Sequence, residues 1–335
     1  MIRSWPLLIV LTISACATSK PEPGTLPGEA LSIVWPGAPE PARIEFIAMF
    51  SKAEDLGWRK SFFYKMREFL AGSEDRRMLR PYAVVAGSDV IAVADPGAAV
   101  VHLFDTQRRS YSKLSQAGKT RLLSPVGVAL GNDRLFVADS ELNKVFILDR
   151  SSRLLLTLED FQRPTGLAFD PRQQRLYVAD TLAHEVRVFD LNGDPLFTIG
   201  KRGEQDGQFN FPSHLAFTGD RLFVTDTMNF RIQIFSRDGE YLKTFGKHGD
   251  GSGYFAQPKG VAVDSDGHVY VADALANRVQ IFTEDGEFLL SFGGEGDKPG
   301  AFNLPAGLAI RGNRIYVADS YNRRIQMFRY LPEEN

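Results

Sequence analysis

The sequence predicts an all-β fold, a six-bladed β-propeller, and three observations carry that reading. A five-residue string ending in Asp recurs six times at near-constant spacing. A proline stands about fourteen to sixteen residues before the Asp of each copy. Short apolar segments separated by polar turns fill the remainder of every interval, the pattern of strands punctuated by turn residues. The composition agrees: 44% hydrophobic and 24% charged residues suit a packed globular chain, while 30 Gly and 18 Pro suit frequent turns.

The recurring strings are IAVAD at 91–95, LFVAD at 135–139, LYVAD at 176–180, LFVTD at 222–226, VYVAD at 269–273 and IYVAD at 315–319. Their aspartates, Asp95, Asp139, Asp180, Asp226, Asp273 and Asp319, are 44, 41, 46, 47 and 46 residues apart. The prolines are Pro81, Pro125, Pro164, Pro212, Pro258 and Pro305. An apolar strand follows each proline, a polar turn follows each Asp, and two further strands such as RIQIF (231–235) and YLKTF (241–245) complete the unit. Four short strands in about 45 residues is the signature of a propeller blade.

This pattern resembles the NHL repeat over about residues 80–330. Blades four to six look closest, with glycine-rich loops at 200–212, 246–258 and 293–305 leading into the proline. A D-x-x-N-x-R turn is intact as Asp226/Asn229/Arg231 and as Asp319/Asn322/Arg324. The resemblance implies a propeller whose blades are built in register around a central channel.

The N-terminus reads as an address. Arg3 precedes an apolar run from Trp5 to Ile13, about half the ~20 residues of a membrane-spanning helix and suited to a secretory signal over 1–15. Ile13-Ser14-Ala15-Cys16 resembles the lipobox of bacterial lipoproteins, which implies a lipidated Cys16, the only cysteine. With Ala17 and Thr18 following, the resemblance implies an outer-membrane anchor facing the periplasm. Residues 16–42 hold six prolines and are expected to be an extended tether.

Blade six runs out of sequence after its third strand, so residues 43–52 are expected to supply the missing outer strand and close the ring. Between that strand and blade one, residues 53–79 read as a helical insertion with Trp58, Phe62, Met66, Phe69 and Leu70 on one face. A helix packed on the propeller is the expectation; a membrane-surface or partner-docking role is the alternative. The blades occupy 80–331.

Catalytic chemistry is hard to find. Six equivalent aspartates point to turn architecture, in which each carboxylate accepts turn N–H groups or pairs with an Arg five residues on. The five histidines include no HExxH pair, and no metal or other cofactor is expected. His214 fills a slot after the proline where four blades carry Gly127, Gly166, Gly260 and Gly307, and blade one Ala83. Some NHL-type propellers, such as the peptide-amidating lyase, place zinc-binding histidines near this point, but from several blades. Tyr82, Thr165, His214 and Lys259 are expected to gather at the channel mouth, with Arg231, Arg278 and Arg324 farther out. A formal charge of −2 gives no electrostatic attraction for nucleic acid.

The resulting expectation is a monomeric, non-catalytic, lipid-anchored propeller that binds an envelope protein or a glycan, with membrane contact through Cys16. The alternative is a periplasmic hydrolase or lyase working at the channel mouth. Replacing the sole cysteine, Cys16→Ser, is expected to abolish incorporation of labelled fatty acid and to release the protein from membranes. Fractionation and metabolic labelling measure both, and continued acylation of the variant would overturn the lipobox reading.

Overall fold

The computed structural model describes residues 33–58 and 76–332. Within them, six antiparallel sheets stand around a common axis. Blade one spans 83–114, blade two 125–158, blade three 164–199, blade four 212–245 and blade five 258–293. Blade six takes Pro305–Arg311, Arg314–Asp319 and Arg324–Tyr330 from the C-terminal end. The first strand of every unit is innermost. Each touches the next around the ring, and Pro305–Arg311 touches Ala83–Ala86 to complete it.

Packing on two sides explains the strand sequences. Second strands such as Arg134–Asp139 are buried from their second residue to their last, because each blade is sandwiched between two others. They therefore read as continuous apolar runs. The outermost strands, such as Tyr241–Phe245, bury only part of their length and tolerate polar residues. Apolar clusters sit between successive blades, for example Phe136 and Ile147 of blade two against Leu167 and Phe169 of blade three. At the glycines of the inner strands the neighbouring strand approaches so closely that a side chain is excluded. A Cβ on Gly127 would lie 1.8 Å from the Thr165 carbonyl oxygen, and one on Gly307 2.7 Å from Tyr82 O.

Closure of the ring joins the two ends of the chain. Ile44–Phe50 pairs antiparallel with Arg324–Tyr330, from Ile44 opposite Tyr330 to Phe50 opposite Ile325. Val34–Trp35 then adds to Ile44–Glu45 as a fifth strand. The Trp35 ring lies 5.8 Å from those of Phe292 and Phe328. Residues 33–42, assigned to the tether from their prolines, are thus joined to the propeller: a partly buried indole packed on two phenyl rings outweighs a proline-rich composition. Cys16 and the signal segment lie outside the described residues.

Most of the helix expected over 53–79 lies outside the described residues, which here are 53–58 and 76–79. Ala53–Leu56 forms a single 3₁₀ turn, and no α-helix is present in the described parts of the segment. Its two ends meet, with the Met78 N–H donating to Ser51 O at 3.0 Å. Ala53, Met78 and Trp58 pack with Phe104 and Tyr316 between blades six and one. The remaining members of the expected apolar face, Phe62, Met66, Phe69 and Leu70, lie outside the described residues.

Two truncations separate anchoring from closure. Deleting 17–32 is expected to leave the melting temperature unchanged. Deleting 17–50 removes the buried Ile44 and Phe50 and is expected to cost at least about 3 kcal/mol in denaturant unfolding, at ~1.5–3 kcal/mol per buried side chain. Equal stability of the two proteins would show that the N-terminal strand does not close the ring.

Candidate functional site

One buried carboxylate organises the same face of every blade. All six repeat aspartates are no more than 1% exposed. Each accepts backbone N–H groups from the loop that leads into its own blade's proline. Asp95 takes those of Leu79 (2.6 Å) and Arg80 (2.9 Å), Asp139 those of Leu123 (2.8 Å) and Ser124 (3.0 Å). Asp180 takes Gln162 and Arg163, Asp273 takes Ala256 and Gln257, and Asp226 and Asp319 take Asn210 and Asn303. The turn after the Asp and the loop before the proline are thereby locked together on one face, around the mouth of the channel.

The arginines brace this frame. Arg324 donates through Nε to Asp319 at 2.7 Å and through its terminal nitrogens to the carbonyls of Asp297, Lys298 and Ala301. Arg231 does the same for Asp226, Gln205 and Gln208, and Arg278 holds the carbonyls of Asp250 and Gly251. A glutamine two residues on completes the clamp, a role the sequence reading missed. Gln233, Gln280 and Gln326 each accept an N–H from a glycine of the loop and donate back to one of its carbonyls. Its recurrence as R-[IV]-Q was the available signal. In blade one the same position is His102, which lies 3.2 Å from Asp95 and 2.8 Å from the Tyr111 hydroxyl.

Three of the four sequence-derived mouth residues meet directly. Tyr82 of blade one lies across the channel against His214 of blade four, with ring centroids 5.4 Å apart. The Lys259 ammonium of blade five sits 5.1 Å from the centre of the Tyr82 ring and 3.3 Å from its hydroxyl, a cation–π contact with a hydrogen bond. Thr165 stands apart from this trio as a buried fastener. Its hydroxyl reaches Ser213 O (2.9 Å) and the Thr181 hydroxyl (2.7 Å), joining blades three and four.

A cavity of about 380 Å³ opens at the mouth, lined by residues of blades one, two, three, five and six. Its walls include Tyr82, Thr165 and Lys259, together with Arg80 and Arg163. Three cations and no acidic side chain line it. Blade four supplies none of the lining; its His214 is covered by the Tyr82 ring.

His214 replaces the glycine of other blades, and the opposing residue changes with it. Where Gly127 faces Ala138, His214 faces Thr225, whose hydroxyl donates to Lys259 O at 2.7 Å. His214 Nδ1 lies 3.0 Å from Ser213 Oγ, Ser213 Oγ 2.6 Å from Thr227 Oγ1, and Thr227 Oγ1 donates to Pro258 O. Because that carbonyl only accepts, each hydroxyl donates onward along the chain and Nδ1 carries the imidazole proton. Nε2 is left as a buried lone pair with no partner. Burial, and then the Lys259 ammonium, push the His214 imidazolium down from 6.5 to about 3. Among the described residues no group of three or more His, Cys, Asp or Glu is placed to hold a metal ion.

A ring of exposed apolar side chains surrounds the mouth, also unnoticed in the sequence. Two residues after the Asp, four consecutive blades carry Leu182 (42% exposed), Met228 (47%), Leu275 (58%) and Tyr321 (58%). Leu79 and Leu123, before the prolines of blades one and two, extend the arc.

Fold and site together define a six-bladed β-propeller that presents one structured face around the mouth of its channel. The chain carries NHL repeats: residues 161–189, 255–282 and 302–328 match that family description. These are blades three, five and six, whereas the intact loop and turn motif of blade four had suggested four to six. Blade four is the one with His214 and Thr225 in place of Gly and Ala. No curated protein matches the sequence. Solved structures share the fold. A protein of unknown function from Bacteroides thetaiotaomicron superposes with a TM-score of 0.60 at 17% identity, over 76% of this chain and 70% of that one. An auxiliary nutrient binding protein from the same organism gives 0.60 at 17%, over 76% and 69%. Virginiamycin B lyase from Staphylococcus aureus gives 0.56 at 13%, over 76% and 96%.

The depressed His214 pKa fixes a sign. Unfolding lets the imidazole bind a proton that the fold excludes, so the stability it contributes is full above pH 6.5 and declines as pH falls from there towards 3. Denaturant unfolding of the wild type and of His214→Gln between pH 7.5 and 4.5 is expected to show a stability difference that shrinks or reverses as pH falls. A pH-independent difference would mean that His214 is not buried as the neutral form.

Proposed function

We propose that this protein is a lipid-anchored, extracytoplasmic, non-catalytic scaffold whose channel-mouth face binds a protein partner. The observation that carries the reading is the apolar arc of Leu182, Met228, Leu275 and Tyr321 around a mouth lined by Arg80, Arg163 and Lys259. Large apolar side chains exposed at equivalent positions of four successive blades form a patch of the kind that marks protein contact. A rim of apolar contacts around a cationic recess suits a partner that lays an apolar surface on the arc and inserts an acidic side chain. A glycan would make less use of such an arc. The lipobox at Cys16 supports envelope attachment, with the outer membrane facing the periplasm as the site. The structural likeness to an auxiliary nutrient binding protein is compatible with a binding role.

The alternative, a hydrolase or lyase at the same mouth, draws on the unpartnered Nε2 of His214. One histidine behind a tyrosine ring supplies a single acceptor, whereas the binding reading uses the whole face.

The double substitution Leu275→Asp with Tyr321→Asp places two charges on the arc without touching the buried frame. Photocrosslinking in membranes, from a probe at position 228, is expected to lose its specific adduct by at least about tenfold while the melting temperature stays within a few degrees. Undiminished crosslinking by the folded double variant would remove this face as the docking site.

A further inference from the structure

The opposite face carries a cleft between blades one and two. In blades two to six, the second residue of each repeated string is aromatic: Phe136, Tyr177, Phe223, Tyr270 and Tyr316. Each of these side chains packs against the next blade. Phe136 stacks on Phe169 at 5.1 Å and Tyr177 on Phe217 at 5.3 Å. The Tyr177 hydroxyl donates to the carbonyl of Arg237 in the neighbouring blade's turn at 2.8 Å, and the Tyr270 hydroxyl reaches Asp264 within its own blade.

Blade one has Ala92 there. The corresponding gap is a cleft of about 640 Å³, with a floor of Leu103, Leu130 and Leu135 and a rim that includes Asp133, Asp149 and Arg150. Strand register equates Arg150 with Arg237, since Arg134 faces Asp149 as Arg221 faces Ser236. The residue over the gap registers the vacancy: Leu103 is partly exposed, while its counterparts Ile147, Val188, Ile234 and Ile281 are at most 2% exposed. The cleft therefore borders the position where a tyrosine of blade one would stand: Leu103, directly opposite Ala92 in the strand pairing, lines it, while Ala92 itself is fully buried.

We propose that this cleft binds a small hydroxyaromatic molecule, whose ring takes the place of the missing side chain. The volume falls within the ~300–1,000 Å³ of small-molecule sites, and an apolar floor with a few polar rim groups is the composition such sites share. The leucines take the ring, as Phe217 takes that of Tyr177. The turn at 149–152 takes the hydroxyl, as Arg237 O takes that of Tyr177. The site is on the face away from the channel mouth and does not depend on the partner proposed there.

The probe is p-cresol, the tyrosine side chain as a free molecule, titrated into the protein carrying labelled leucine and valine methyls. Saturable shifts are expected at Leu103 and Leu130, and none at Val126 in the mouth. Ala92→Phe restores the residue type that the other blades carry and is expected to weaken binding at least about tenfold while keeping the fold. Should that variant fail to fold, Leu103→Phe closes the cleft from the adjacent strand and is expected to weaken binding to the same degree. Absence of saturable Leu103 and Leu130 shifts in the wild type, or undiminished binding by a folded, filled variant, would overturn the proposal.

Discussion

A carboxylate buried at the end of the second strand is the constraint from which this propeller is built. The loop that descends to each proline is irregular, and its N–H groups are drawn beneath the surface where water cannot serve them. An unpaired buried N–H is costly, and a buried carboxylate is costlier still. Placing the two together satisfies both, because a carboxylate accepts several charge-assisted hydrogen bonds at once. The remaining oxygen lone pairs are met differently in each blade. In blades four and six Asn, Arg and Gln side chains converge, in blade two the turn's own N–H groups do, and in blade one His102 does. The balance differs too. Burial raises the Asp226 and Asp273 carboxyls against their donors. Burial acts likewise on Asp95, but the His102 hydrogen bond and the Leu79 and Arg80 amides outweigh it and hold the carboxyl low.

This frame was legible in the sequence because it repeats. Asp, proline and apolar strand recur with one period, so six weak signals reinforce one another. The closing strand was legible for a related reason: a blade lacking its outer strand demands one, and Arg43 to Phe50 is the nearest unassigned apolar stretch. What did not repeat was harder to read. Val34–Trp35 is a two-residue strand held by one indole, too short for any periodicity. The residue before each third strand adopts a left-handed conformation in all six blades, yet it is Ala99, Asn143, His184, Phe230, Asn277 or Arg323, never glycine. Local propensity disfavours Ala99, Phe230 and Arg323 there, and the clamp on either side imposes the geometry. The apolar arc escaped notice because its members are some 46 residues apart in the chain and become neighbours only when the ring closes.

Of the mouth residues, Tyr82 and Lys259 were legible because the residue after the proline differs from blade to blade, and His214 because it interrupts the glycines one position further on. Their contact was not, since it depends on Tyr82 crossing the channel to the opposite blade. Thr165 belongs to the same level but turns to its neighbours' backbone, and its short side chain leaves it no reach across the channel.

Departures from the repeat sort by whether a neighbour changes with them. His214 adds bulk where the inner strands nearly touch, and Thr225 accompanies it with a hydroxyl that fastens the displaced level to Lys259 O, so blade four remains closed. Ala92 removes bulk, and no neighbour grows to replace it. Leu103 stays partly exposed and a cleft persists. A cleft of this size leaves its apolar floor in contact with water where the other interfaces bury it against protein. The aromatic residues at this position in the five other blades all pack against the next blade, so a ring there is compatible with the architecture. Five copies therefore define what fits in the sixth. Internal repetition here supplies the comparison by which a vacancy can be recognised, and the same logic separates the frame of the mouth from the residues that give it an individual surface.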